Sequence, residues 1–225
     1  MPRPLRTDIA DIVYHVINRA NARLQIFSSS ADYSQFEEVL ADAREKTDMR
    51  LFAYCIMPNH WHLLVQPRND GDLSIFVRLL TMTHTQRWHV SHNTVGIGHL
   101  YQGRYKSFPV QTDEYFLTAI RYIERNPLRA RLVSLAQDWQ WGSLWRREKG
   151  LPQHKTILDE WVTKIPIHYL EWVNKPEPDE TLLQIRTCVN RGQPFGNSVW
   201  KERGVKEWGL GSTFRSDGRP RKNGS

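Results

Sequence analysis

Two β-rich runs separated only by Pro58 and Asn59 constrain this chain more than any other feature. Residues 50–57 (RLFAYCIM) and 60–66 (HWHLLVQ) each carry the β-branched and aromatic residues of a strand, and the Pro58-Asn59 pair breaks the run between them. Residues 9–17 (IADIVYHVI) read as an earlier strand and residues 104–111 as a later one. Asp32 is placed to cap an intervening helix, with Gln35 three residues on as in a capping box, and Phe36, Val39, Leu40 and Ala43 recur at helical spacing. Asp72 is placed to cap a second helix with Leu73, Phe76, Val77 and Leu80 on its apolar face. Thr112 is placed to cap a third, which must stop before Asn126-Pro127, because the residue preceding a proline is driven out of the α region. The order β-α-β-β-α-β-α predicts an α+β fold: an antiparallel sheet with both intervening helices on one face and the other face open.

The chain has 225 residues, 40% of them hydrophobic, with nine tryptophans, which suffices for one substantial domain and an appendage. From about Ser134 the texture changes to isolated tryptophans among prolines, with two short helices expected near residues 180–189 and 198–208. The expected division is therefore residues 1–133 as the main domain, 134–210 as a small helical C-terminal extension and 211–225 as a disordered basic tail. A net charge of +7 points to a polyanionic partner, and the last 25 residues, with seven Lys/Arg against three acids, hold +4 of it. Cys55 and Cys188 lie far apart in apolar-patterned segments, so a reduced, cytoplasmic protein is expected rather than a disulfide scaffold. Neither a signal h-region nor an 18-residue apolar run is present, so neither export nor membrane insertion is expected.

Chemistry concentrates in four places. His60 and His62 stand at i and i+2 on a strand, so both imidazoles project from one face while Trp61 turns to the other. Such a pair can bite one divalent metal, although ordinary strand histidines show the same spacing and no third ligand is evident. His84, His89, His92 and His99 have no tight ligand spacing and read as a solvated polar face. With Thr112 as cap, Tyr115 falls at the third helical position, where backbone N–H groups and the macrodipole favour a phosphate. A phenol with a pKa of about 10 is a poor nucleophile unaided, and Asp113 and Glu114 repel phosphate; an ordinary surface aromatic is the alternative. Tyr122, seven residues on, shares that face and reads as a packing residue. Gln102, Arg104, Tyr105 and Lys106, then Arg121, Arg125, Arg129 and Arg131, mix cations with aromatics in the manner that suits single-stranded or hairpin DNA, or else form a solvated helix face. Arg219, Arg221 and Lys222 surround a Gly-Arg-Pro core able to lie in an A·T-rich minor groove.

The runs NHWHLLVQP, LYQGRYKS and DEYFLTAIRYIERNPLRARLV, followed by RGQPFGNSVWKERGVKEWGLGSTFRSDGRPRK, together resemble the REP-associated tyrosine transposases of the HUH single-strand nucleases. The resemblance runs from Ile9 to Lys222 and implies a ferredoxin-like βαββαβ core. It also implies cleavage of single-stranded, hairpin-forming palindromic DNA by Tyr115 through a 5′-phosphotyrosine link, with Mg²⁺ or Mn²⁺ held by His60 and His62. A cytoplasmic monomer or homodimer is the expected form. One position departs from the pattern: four residues after the tyrosine, where relatives carry a polar metal ligand, this chain has Ala119, and Glu124 points elsewhere. A domesticated hairpin-binding protein that no longer cleaves is therefore the alternative. A replication or conjugation initiator would be larger, and Tyr115 and Tyr122 are spaced too far apart for its paired tyrosines.

Overall fold

A computed structural model of the chain describes residues 7–151 and 157–215. Its centre is a sheet of β1 (Val13–Arg19), β2 (Arg50–Met57), β3 (His60–Gln66) and β4 (Lys106–Val110), in the order β2-β3-β1-β4. Every neighbouring pair is antiparallel, as the two-residue break at Pro58-Asn59 requires for β2 and β3. The turn's own polar groups are used, since Pro58 O accepts from the amides of Ile26 and Phe27, and Asn59 O from that of Ala20. Helices α1 (Ser30–Thr47) and α2 (Asp72–Ser91) lie on one face, and α3 (Glu114–Glu124) follows β4. The α+β, βαββαβ architecture expected from the sequence is the one observed.

Local chemistry sets the element ends, and several shift from expectation: Gly71 rather than Asp72 is the cap residue of α2, with Asp72 at the first helical position accepting from the Asn69 amide at 2.9 Å. Ser29 rather than Asp32 caps α1; Asp32 sits at the third helical position and reaches back to accept from the Ser29 amide at 2.8 Å. Asp113 rather than Thr112 caps α3, its carboxylate accepting from the Tyr115 amide at 2.9 Å. β1 begins at Val13 rather than Ile9, because the preceding residues serve α2: the Asp8 carboxylate takes the amides of Leu73 and Ser74.

Alternation along the strands makes two apolar layers. Tyr14, Val16, Trp61, Leu63 and Val65 pack against Phe36, Leu40, Phe76 and Leu80 of α1 and α2. Val13, Phe52, Leu64, Phe108 and Val110 project from the opposite face and are covered by Phe116, Ala119, Ile120 and Ile123 of α3. The second face, expected to be open, is therefore covered. Five large apolar side chains on it are worth about 25 cal/mol per Å² when removed from water, so that face is filled.

The segment after α3 completes the cover. Among the described residues it comprises α4 (Asn126–Arg129), α5 (Ser143–Glu148), α6 (Tyr169–Asn174), α7 (Asp179–Arg191), α8 (Ser198–Glu207) and two short 3₁₀ turns, Ala136–Asp138 and Leu210–Phe214. The second turn occupies the start of the expected disordered tail, ordered by burial of Leu210 and by Gln193 donating to Thr213 O at 2.8 Å. Val173, Ile185, Cys188 and Phe195 enter the same apolar cluster as α3. Phe195 also lies along the outer edge of β4, donating to Pro109 O and accepting from the Gln111 amide at 2.8 and 2.9 Å, which protects that edge from further pairing. Cys55 and Cys188 are free and buried. Among the described residues, no helix is long and apolar enough to cross a membrane.

His84 of α2 gives this core a pH dependence. Trp61 Nε1 donates to the Tyr101 hydroxyl oxygen at 3.0 Å, and that hydroxyl donates to His84 Nδ1 at 2.8 Å. Burial holds the His84 pKa down to about 3, against an ordinary 6.5. Between these values the unfolded chain binds the proton and the folded chain does not. The stabilisation is thus complete above pH 6.5 and is lost as pH falls, by up to about 1.4 kcal/mol per pH unit. His84→Gln should lose stability less steeply than wild type between pH 6.5 and 4 in urea unfolding followed by tryptophan fluorescence. Parallel slopes would contradict this.

Candidate active site

The histidines emerge from the strand register. His60 lies opposite Arg19 of β1 and Met57 of β2, and His62 opposite Ile17 and Cys55, so both project towards α3 while Trp61 enters the other layer. Their ring centroids are 5.1 Å apart. A third histidine joins them. His15 of β1, two residues from Ile17 and on the same face, places Nε2 2.8 Å from His62 Nδ1. The edges of Phe108 and Tyr122 close on the His15 ring, with centroids at 4.8 and 6.1 Å, and Tyr122 also meets His62 at 5.9 Å. The Arg129 guanidinium covers the Tyr122 ring at 4.2 Å. His15 is absent from the residues expected at the site, though the sequence carries a signal for it as the polar member of the alternation Val13, His15, Ile17.

All three imidazoles are neutral at neutral pH. Burial first, then the cations Arg19 and Arg129, pushes His60 down to about 4. Burial brings His15 to about 3 and His62 well below its usual range, where neighbouring His15 and His60 add to the effect. A neutral ring keeps a lone pair, the form a metal requires. His60 Nδ1 lies 2.6 Å from Asn59 Oδ1, and the Asn59 amide nitrogen faces Arg23 O. His60 Nδ1–H therefore donates to the amide oxygen and leaves Nε2 as its free lone pair. Two neutral nitrogen donors on one face fit the start of a metal's ligand set. Among the described residues, no group of three His, Cys, Asp or Glu is positioned to complete it. Ala119 is buried in the apolar layer, and Glu124 is committed elsewhere, accepting from Ser143 Oγ at 2.7 Å and Tyr169 Oη at 2.5 Å while burial pushes its carboxyl upward.

Tyr115 is half-buried at the second position of α3, its ring meeting the edge of Phe195 at 5.1 Å and 89°. Partial burial, then Glu114 and Asp113, raises its phenol above the ordinary value, so it is protonated at neutral pH. Tyr122, two turns further along α3, reaches the histidines themselves. A single helix thus carries the tyrosine at one end and the lid of the histidine cluster at the other.

The basic residues divide into two sets. Arg104 and Lys106 are exposed, and Tyr105 between them is buried with its hydroxyl 3.2 Å from Ser74 Oγ. With Arg19, Gln102, Asn190 and Arg191, the two cations line a groove of about 660 Å³ beside β4. Arg121 and Arg125, expected in the same DNA-facing set, turn inward instead. Arg121 donates to the carbonyls of Lys175 and Pro176 and lies over Trp172, while Arg125 and Arg129 pair with the buried Glu177 at 3.3 and 2.9 Å. The cause is the extension, whose residues 175–177 supply acceptors along the flank of α3. Arg219, Arg221 and Lys222 lie outside the described residues. Glu177→Ala should lower the unfolding free energy by about 3 kcal/mol, since two guanidiniums lose their buried counter-charge. Urea unfolding at neutral pH measures this, and a change below 1 kcal/mol would show the pair to be a surface contact in effect.

Three comparisons bear on this geometry. The family model described as "Transposase IS200 like" matches residues 8–126, a span containing His15, His60, His62 and Tyr115. The "Putative REP-associated tyrosine transposase" of Haemophilus influenzae is 25% identical over 128 residues, covering 53% of this chain and 73% of that protein. The solved structure of a REP-associated tyrosine transposase bound to a REP hairpin superposes with a TM-score of 0.56 at 20% identity, covering 73% of this chain and 94% of that one, and so shares the fold. Matched over more than half its length, from the residues leading into β1 to the end of α3, the chain belongs to the IS200-like transposase family.

Proposed function

We propose that the protein is a metal-assisted transposase that cleaves single-stranded, hairpin-forming DNA through Tyr115. The observation that carries this reading is the coupling of two neutral histidines to the tyrosine-bearing helix, with Tyr122 of α3 packed on His15 and His62. In the proposed step the Tyr115 oxygen bonds to the scissile phosphorus and the phenolic proton is released to solvent. The P–O3′ bond breaks, the 3′ oxygen takes up a proton, and the 5′ phosphate remains on the tyrosine. His60 and His62 would hold Mg²⁺ or Mn²⁺, which when bound would polarise the phosphate and offset its charge. Phe195 and the Asp113 cap hold Tyr115 in place. The fold shared with a protein bound to a REP hairpin makes a repeat hairpin the substrate to test first. The groove of Arg19, Arg104 and Lys106 suits its phosphates, with Arg219, Arg221 and Lys222 as a further basic arm in a cytoplasmic DNA-bound form. Residues 1–133 are proposed as the catalytic domain and 134–210 as the extension that completes it. The second reading, a hairpin-binding protein that no longer cleaves, is favoured by one observation: neither Ala119 nor Glu124 offers a third ligand.

Labelled single-stranded hairpin DNA from repeats near its own gene, incubated with Mg²⁺ or Mn²⁺ and run on a denaturing gel, separates the two. A covalent protein–DNA band lost with EDTA and in Tyr115→Phe is expected, with hairpin affinity in the variant within a few-fold of wild type. Tight binding without a band in either metal would favour the binder. For the groove, Arg104→Ala and Lys106→Ala should each reduce the slope of log affinity against log salt by about 0.7–0.9, one phosphate contact apiece. Slopes unchanged in a salt titration would place the phosphates elsewhere.

A further inference from the structure

We infer that His15 is a positioning residue that fixes which nitrogen of His62 is free to bind a metal; this rests on the metal-site reading proposed above. The His15 and His62 rings are within 5° of parallel, with centroids 5.0 Å apart. Two ring radii added to the 2.8 Å N···N separation account for nearly all of that distance, so the rings lie edge to edge in one plane and do not stack face to face. This is the in-plane approach a nitrogen lone pair needs to accept an N–H.

Two ring nitrogens 2.8 Å apart must share one hydrogen, so one ring donates and the other accepts. If His15 Nε2 accepts, the His62 proton sits on Nδ1 and His62 Nε2 keeps its lone pair. If His15 donates instead, the His62 proton sits on Nε2 and that nitrogen cannot ligate. Only the first arrangement is compatible with a metal at His62 Nε2, and it mirrors His60, whose Nδ1–H is held by Asn59. The edges of Phe108 and Tyr122 hold the His15 ring in register. The other His15 nitrogen, Nδ1, is buried and has no hydrogen-bond partner among the described residues. A buried polar atom kept without a partner is costly, and a plain packing role would be served by an apolar ring. The cost is explained if the opposite nitrogen is required as an acceptor.

The test uses the full chain and Mn²⁺ alone, without DNA, with free Mn²⁺ read by electron paramagnetic resonance. His15→Phe fills the space without accepting and should weaken binding by about 10–100-fold. His15→Gln places an amide oxygen near the position of Nε2 and should restore affinity to within a few-fold of wild type. Long-range ¹⁵N histidine spectra of the Mg²⁺-loaded wild type should show His62 protonated at Nδ1. Should His15→Phe fail to fold, His15→Gln and the spectra decide alone. Binding within two-fold of wild type in a folded His15→Phe, or an Nε2–H on His62 in the Mg²⁺-loaded chain, would overturn the inference. No Mn²⁺ binding by wild type would instead remove the metal-site reading itself, and the inference with it.

Discussion

Burial of the second sheet face beneath α3 is the interaction on which the rest of the structure depends. Phe52, Leu64, Phe108 and Val110 present an apolar surface that water cannot cover cheaply, and Phe116, Ala119, Ile120 and Ile123 supply the matching stripe. Once α3 is seated there, its direction is fixed, and both of its tyrosines acquire positions relative to the strands. Tyr122 lands on the histidines, and Tyr115 is carried two turns away at the capped end of the helix. The same packing removes water from His15 and His62, which is the main reason their imidazoles stay neutral.

The C-terminal extension does more than thicken the core. Glu177 holds Arg129, Arg129 covers Tyr122 and donates to its carbonyl, and Tyr122 packs against His15 and His62. At the other end of α3, Phe195 braces Tyr115 while its backbone closes the β4 edge. Asp159 adds a third clasp, accepting from the Leu51 amide and from Arg44 while its own amide donates to Leu51 O. The site is therefore assembled from β1, β3, α3 and residues more than fifty positions further along the chain.

Much of this was legible in order, less of it in contact. The strand pair around Pro58-Asn59, the stripes of α1 and α2 and the alternation His60-Trp61-His62 follow from period and turn chemistry, because they are local. Caps were misplaced by one to three positions, Ser29 for Asp32 and Asp113 for Thr112, since several residues of the right type competed for each helix start. The arginine series on α3 was legible as charge and ambiguous as function. Arg121 and Arg125 carry the same sequence signal as Arg104, and only the acceptors of residues 175–177 separate them.

The sequence by itself determined the element order, the antiparallel sheet and the face shared by His60 and His62, because each depends on neighbours a few residues apart. Tertiary structure alone decided that this face is covered, that His15 joins the pair across β1 and β3, and that Phe195 meets Tyr115. Those contacts join residues separated by 47 positions in one case and by 80 in the other. No periodicity spans such a distance; strand register and the burial of apolar area bring these residues together.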